Sequence, residues 1–187
     1  MLKKLLASLL VVGATALPAM AGADFSSDTP NEKLAASEAT KKVLPTDDVV
    51  FKHGSAALSD SASQQVATAA RWMKHNKGMI VLEGHANVLG SARFNDDLSM
   101  HRAEMVRDHL MAYGVPSDRI MVVVYGESGA EAKASPLDRR VVMYVTKKSP
   151  KAIVRARLDR GDALSAAWTR KGVLFTETHG SSMVATR

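Results

Sequence analysis

Apolar positions recur with two different periods between residues 49 and 145, and the change of period predicts the elements of one domain. The β-branched and aromatic run Val49–Phe51 is typical of a strand. Ala62, Val66, Ala69 and Met73 recur at helical spacing. The predicted elements are a strand at 49–51, a helix from a Ser61 cap to Gly78, a strand at 79–82, a helix from a Ser99 cap to Gly114, and strands at 120–125 and 140–145. This βαβαββ order predicts an α/β or α+β fold with both helices on one face of a mixed sheet.

The first 23 residues have the layout of a secretory signal peptide. Two lysines precede the apolar run Leu5–Leu17, and small residues follow it. The run is shorter than the ~20 apolar residues that cross a bilayer. We therefore expect cleavage after Ala21 or Ala23 and no transmembrane span in the mature chain. Residues 24–46 are polar and alanine-rich without a sustained period, which predicts a linker.

The composition of the chain indicates how many domains it can form and in which compartment it is found. The chain is 46% hydrophobic and 24% charged and has no cysteine. This is enough apolar material for one ordinary core, held without disulfides. A bacterial lipid anchor would need a cysteine after the cleavage site. We therefore expect a protein free in the periplasm, where it can associate with the cell wall or the outer membrane.

The formal net charge of +6 is unevenly distributed along the chain. Acidic and basic residues balance between residues 24 and 150, and the excess of basic residues lies beyond them. Because nucleic-acid-binding domains carry a basic face, the balance over the folded part argues against nucleic acid as a partner. Weak periodicity, interrupted by Gly161–Asp162, predicts that residues 149–187 form a flexible basic tail.

A group of glycine, asparagine, aspartate and arginine residues follows the second predicted strand. It runs Gly84-His-Ala-Asn-Val-Leu-Gly90, then Asn95-Asp-Asp-Leu-Ser99, then Arg102. We interpret residues 84–94 as a long loop and Leu98 as the start of a helix, so that free backbone N–H groups converge there. Arg102 then lies in the first helical turn, where its planar guanidinium suits a carboxylate. The pattern predicts an anion-binding corner.

These spacings resemble those of the OmpA C-terminal-like family over residues 47–148. Positions outside the corner agree as well: Phe51, Leu58, Arg119, Gly126–Glu127 and Arg139–Arg140–Val141. The resemblance implies a non-catalytic module that binds peptidoglycan, with no cofactor and no metal. It implies that Arg102 binds the carboxylate of diaminopimelate, that the residue at the position of Asn87 binds its ammonium, and that Asn95 supports the loop. The other implied binding residues are Phe51, Leu98 and Arg139. Neighbouring residues in a strand face opposite sides, so Arg139 and Arg140 are not both expected to reach the binding site.

Three departures from the family pattern surround this corner. Asn87 replaces an aspartate, and Lys52 stands where an aspartate is usual. The segment at 128–138 is shorter than typical, and Asp138 replaces an asparagine. A charge-assisted hydrogen bond contributes about 1.5–3 kcal/mol, against about 1 kcal/mol for a neutral one. We therefore expect a weakened hold on the ammonium.

Two other functions compete with peptidoglycan binding. An active site would have to be built from Glu83, His85, Asp96, Asp97 and Ser99. These residues show no nucleophile, base and orienting group at a recognisable spacing, and the histidines lack metal-ligand spacing. The stronger alternative is an interaction module with a degenerate peptidoglycan pocket, whose partners are outer-membrane or other envelope proteins. The prediction is a non-enzymatic peptidoglycan-binding domain, with this module as the alternative.

Overall fold

The computed structural model describes residues 44–130, 135–180 and 184–186. The predicted signal peptide and nearly all of the predicted linker lie outside the described residues. The helices are α1 (Asp60–His75), α2 (Ala92–Ala112) and α3 (Pro150–Arg157). The strands are β1 (Val49–Val50), β2 (Met79–His85), β3 (Ile120–Gly126), β4 (Arg140–Thr146), β5 (Ser165–Arg170), β6 (Val173–Thr178) and β7 (Val184–Thr186).

The seven strands form one mixed sheet in the order β1-β4-β2-β3-β5-β6-β7. Strands β2 and β3 are parallel and joined through α2, and the other neighbouring pairs are antiparallel. Strands β1 and β2 both run antiparallel to β4, which lies between them, so α1 makes the first crossover. The predicted α+β class and the βαβαββ order are confirmed for the first six elements.

Alternation along the strands divides the buried residues into two cores. The first core joins α1 and α2 to one face of the sheet, through residues such as Val66, Met73, Leu82, Val106 and Leu110. Both predicted helices therefore cover the same face, as expected. The second core lies on the opposite face and joins α3 to the sheet; its members include Val81, Met121, Val123, Tyr125, Tyr144, Ile153, Val154, Leu158 and Trp168.

The prediction of a flexible basic tail is wrong for the described residues beyond Ser149. Strand β5 pairs with β3 in a four-residue register, and β6 and β7 extend the sheet further. Lys171 and Gly172 join β5 to β6 with φ of 50° and 76°, as a two-residue hairpin turn of type I′ requires. The apolar residues of α3 and β5 complete the second core, so residues 150–178 belong to the folded unit.

The structure also corrects both predicted helix starts. Ser59, rather than Ser61, caps α1 by accepting a hydrogen bond from the Ala62 amide. Ser91, rather than Ser99, caps α2 by accepting from the Phe94 amide. The long loop after β2 is therefore shorter than predicted, and α2 begins about two turns earlier. Because of this shift, Arg102 lies in the middle of α2 and cannot face free N–H groups of its first turn.

Candidate functional site

Arg102 is completely buried and fastens two segments of backbone. Its Nε donates to the Ser55 carbonyl at 3.0 Å, Nη1 to the His85 carbonyl at 3.1 Å, and Nη2 to the Lys52 carbonyl at 3.3 Å. Burial, and secondly the charge of Arg139, lower the pKa of Arg102 to about 10, so it is a cation at neutral pH. Arg102 therefore joins the loop after β1 to the end of β2.

Phe51 and Arg139 lie beside Arg102. The guanidinium carbon of Arg102 stands 5.4 Å from the centre of the Phe51 ring, within range of a cation–π contact. Arg139 Nε donates to the Phe51 carbonyl at 3.3 Å, and the Phe51 amide donates to the Arg139 carbonyl at 2.8 Å. A cleft of about 360 Å³ opens here, between residues 50–59 and Arg139. Arg140 points elsewhere and pairs with Asp48 at 3.3 Å, as the alternation predicted.

Two buried amide atoms have no hydrogen-bond partner among the described residues: Asn87 Nδ2 and Asn95 Oδ1. Asn87 is 2% exposed and Asn95 is fully buried. The loop that carries Asn87 lies against Asn95, since a Cβ atom on Gly90 would stand 3.8 Å from Asn95 Oδ1. An unpaired buried polar atom costs about 1–3 kcal/mol. A ligand that pairs with these atoms would recover that cost.

Acidic side chains lie on the Asn95 side of the corner. Asn95 Nδ2 donates to Glu127 Oε2 at 2.7 Å, which fixes the orientation of the amide. Burial, followed by the charges of Glu127 and Asp97, raises the pKa of Asp96. This side of the corner therefore attracts cations although Asn87 is neutral. The sequence matched Glu127 only as part of the fold pattern and gave it no role, because its pairing with Asn95 spans 32 positions.

The structure also places four more residues from the sequence analysis. Leu98 lies within α2 and is 9% exposed. The Lys52 side chain is exposed, although its carbonyl binds Arg102. Ser99 Oγ donates to the Asp96 carbonyl and accepts from the Gly126 amide, so it fastens α2 to β3 and is not a cap. Asp138 accepts from the Ser135 amide within a short 3₁₀ turn.

His85 is held between the corner and the second core. Its ring stacks on Tyr125 with centroids 4.7 Å apart and an interplanar angle of 18°. Burial first, then the charges of Arg140 and Arg157, lower the pKa of His85 to about 4, and Asp138 opposes the shift. The ring is therefore neutral at physiological pH, in agreement with a structural role.

Acidification is expected to destabilise the fold through His85. Its folded pKa lies below the unfolded value, so between about pH 6.5 and 4 the unfolded chain binds a proton that the folded chain excludes. Stability should fall across this window by at most roughly 3 kcal/mol. Urea unfolding at pH 7.5 and 4.5 measures the loss, and His85→Gln should show a smaller one. An equal loss in both proteins would contradict this role of His85.

Within residues 44–130, 135–180 and 184–186, no three metal-binding side chains are grouped so as to hold an ion. Over the same part of the chain, no helix combines the length and apolar character needed to cross a membrane.

The part of the chain that forms the corner also matches a known family. Residues 50–142 match the model of the OmpA family. This segment is an OmpA-family domain. The resemblance drawn from the sequence is confirmed, although the individual binding residues remain predictions.

Two proteins that resemble this chain each match less than half of it. The chain is 34% identical over 82 residues to the peptidoglycan-associated lipoprotein of Mesorhizobium japonicum, a match that covers 43% of this chain and 49% of that protein. It is 33% identical over 94 residues to outer membrane protein A of Serratia marcescens, covering 49% of this chain and 26% of that protein. The chain thus spans about half or less of the length of these relatives.

A solved structure shows the same fold. The C-terminal domain of Helicobacter pylori MotB superposes with a TM-score of 0.50 at 17% identity, covering 62% of this chain and 96% of that domain.

Proposed function

We propose that the OmpA-family domain binds peptidoglycan without catalysing a reaction on it. The observation that carries the proposal is the pair of unpaired buried amide atoms on Asn87 and Asn95. Asn87 follows by two residues the His85 carbonyl that binds Arg102, and Asn95 precedes Arg102 by about two turns of α2. One relative is named a peptidoglycan-associated lipoprotein, which supports the same ligand. The protein would act in the periplasm after removal of its signal peptide.

The stem peptide of peptidoglycan fits the charges around the corner. Diaminopimelate carries a carboxylate and an ammonium on one side chain. Arg102 and Arg139 provide positive charge on the Phe51 side, and Glu127 and Asp96 provide negative charge on the Asn95 side. Because three nitrogens of Arg102 already bind carbonyls, we propose that Arg102 attracts the carboxylate through its charge and that Arg139, at the cleft, makes the more accessible contact.

Co-sedimentation with insoluble sacculi tests the proposal. Wild type should pellet with sacculi, and Arg139→Ala should pellet less because it removes the accessible cation at the cleft. Arg71→Ala, at an exposed site on α1, is the matched control and should bind as wild type. If wild type and Arg139→Ala both stay in solution, peptidoglycan binding is excluded.

One observation favours the alternative of an envelope protein-interaction module. Leu89 and Phe94 flank the Asn87 loop and are 48% and 49% exposed, which is unusual for large apolar side chains. In this alternative the domain no longer binds peptidoglycan and binds an envelope protein through these two side chains. Wild type would then not bind sacculi but would capture an envelope protein, and Leu89→Ser would abolish that capture.

Asn87→Asp is expected to tighten binding of a ligand that carries an ammonium. An ammonium only donates hydrogen bonds, so its contact at this residue is the Oδ1 position and not the unpaired Nδ2 donor. The substitution turns that neutral acceptor into a charged one, a gain of about 1–2 kcal/mol, or roughly five- to thirtyfold in Kd. The gain should depend only weakly on salt, because Asn87 is 2% exposed and salt screens buried charges much less than exposed ones. Titration with a diaminopimelate-containing stem peptide at two salt concentrations measures it.

The same substitution should destabilise the ligand-free protein, because the carboxylate would be buried without a partner. Asn87→Ala is the control: it removes the amide without adding a charge and should give no gain in affinity. Equal Kd values for Asn87→Asp and wild type would show that Asn87 does not contact an ammonium.

A further inference from the structure

A carboxylate is buried in the second core, away from the corner. Glu83 on β2 is 7% exposed, and its Oε1 accepts hydrogen bonds from Tyr144 at 3.0 Å and Tyr125 at 3.4 Å. Arg157, at the end of α3, places Nη2 3.1 Å from the same oxygen. Three donors from three elements therefore converge on one oxygen atom. This fixes the Glu83 side chain and anchors α3 to the centre of the sheet.

The contacts continue from Glu83 to the candidate site. Tyr125, which donates to Glu83, stacks on the His85 ring with centroids 4.7 Å apart. The His85 carbonyl accepts the hydrogen bond from Arg102 Nη1 at 3.1 Å. His85 is also two residues before Asn87, and the intervening Ala86 amide donates to the Gly126 carbonyl at 2.7 Å. An unbroken series of contacts thus joins α3 to Arg102 and to the loop of Asn87.

Stability alone is a weak reason for a buried ion pair. Removing two charges from water costs several kcal/mol per ion, and an apolar pair of similar size is often as stable. The orientation that the pair imposes on its neighbours is specific, because a carboxylate oxygen with three donors allows one arrangement of the surrounding rings.

We infer that Arg157 and Glu83 are positioning residues, through which the C-terminal segment holds His85 and the Asn87 loop in the conformation that binds ligand. The inference rests on the proposed function. It gives residues 150–157, which lie outside the matched family segment, a part in ligand binding. Neither Arg157 nor Glu83 touches the ligand.

The test compares sacculus binding of Arg157→Met, Glu83→Gln and the double variant with that of wild type, at a temperature where circular dichroism shows each protein folded. Each single variant should bind about five- to tenfold more weakly, in the range of coupling through packed residues. The double variant should be no weaker than the worse single variant, because both break one connection. Arg155→Met, exposed on the same helix, is the matched control and should bind as wild type.

A spectroscopic readout separates positioning from a general loss of stability. In the folded Arg157→Met protein, the NMR signals of the His85 and Asn87 backbone amides and of Arg102 Nε–H should shift. The amide signals of α1 should remain in place, because α1 packs in the first core, on the opposite face of the sheet. Arg157→Lys keeps a cation at the site and should restore part of the affinity.

His85→Ala removes the stacking of His85 on Tyr125 and leaves the Arg157–Glu83 ion pair intact. It is the variant to test if the other variants do not fold. It should also bind about fivefold more weakly. If wild type pellets with sacculi and these variants bind equally well, the positioning role is wrong and the proposed function stands. If wild type does not pellet, the proposed function fails, and the positioning role with it.

Discussion

A chain truncated after Ser149 is expected to lose cooperative folding. The truncation removes four large side chains from the second core: Ile153, Val154, Leu158 and Trp168. Burying each contributes about 1.5–3 kcal/mol, so the loss is roughly 6 kcal/mol or more. This is comparable to the whole stability of an ordinary domain, about 5–15 kcal/mol. The truncation also leaves Glu83 buried without Arg157.

Thermal and urea unfolding followed by circular dichroism measure this effect. A chain that ends at Gly180 is the control: it keeps the hydrogen bonds of His179 to Leu158 and Leu164 and removes β7, whose three residues are all exposed. It should unfold close to wild type. The sequence alone led to the opposite expectation, because it predicted a flexible tail over residues 149–187, whose removal would leave folding of the domain largely intact. A truncated chain with an unchanged melting temperature would restore that expectation and show that the second core is dispensable.

Arg102→Ala is expected to destabilise the protein by about 3–5 kcal/mol. The substitution removes the guanidinium donors from the carbonyls of Lys52, Ser55 and His85 and opens a cavity under Phe51. The Lys52 carbonyl keeps a hydrogen bond from the Ser55 amide. Urea unfolding at neutral pH measures the loss. Arg93→Ala, at an exposed position in the same helix, should change stability by less than about 0.5 kcal/mol.

A loss below about 1 kcal/mol for Arg102→Ala would contradict this prediction, because it would mean that the three hydrogen bonds of Arg102 contribute little to stability.

The expected loss of stability also affects the design of binding experiments. Weak sacculus binding by Arg102→Ala has two causes, local unfolding and the missing charge. Arg139→Ala is the cleaner binding variant, because Arg139 is only partly buried and lies at the cleft.

The first core and its helices were predictable because their apolar residues follow the 3.6 and 2.0 periods closely. The start of α2 was not, because its first turns carry Asn95, Asp96 and Asp97, which are typical of loops. Asn95 is buried where it donates a hydrogen bond to Glu127, which is 32 positions away in the sequence. Local sequence does not show such a tertiary contact. The burial of Arg102 is similar, since its three acceptors lie 17 to 50 positions away.

The second core was missed because its C-terminal residues are few and separated by alanines. Strand β5 reads Ser-Ala-Ala-Trp-Thr-Arg, which has little β-propensity, and Gly161–Asp162 suggests a break. One signal was present: Lys171-Gly172 between Trp168-Thr-Arg and Val173-Leu-Phe-Thr fits a two-residue hairpin turn. The buried ion pair could not be read from sequence, since Glu83 and Arg157 become partners only after α3 crosses the sheet.

Titration of the ¹⁵N-labelled protein with a diaminopimelate-containing stem peptide tests peptidoglycan binding at this corner most directly. The side-chain amides of Asn87 and Asn95 should shift on binding, because each carries a buried atom that the ligand would pair. The Nε–H signals of Arg102 and Arg139 should move with the same Kd. Saturable binding with shifts confined to other surfaces, or no shifts at concentrations up to about 1 mM, where even weak complexes form, would contradict it.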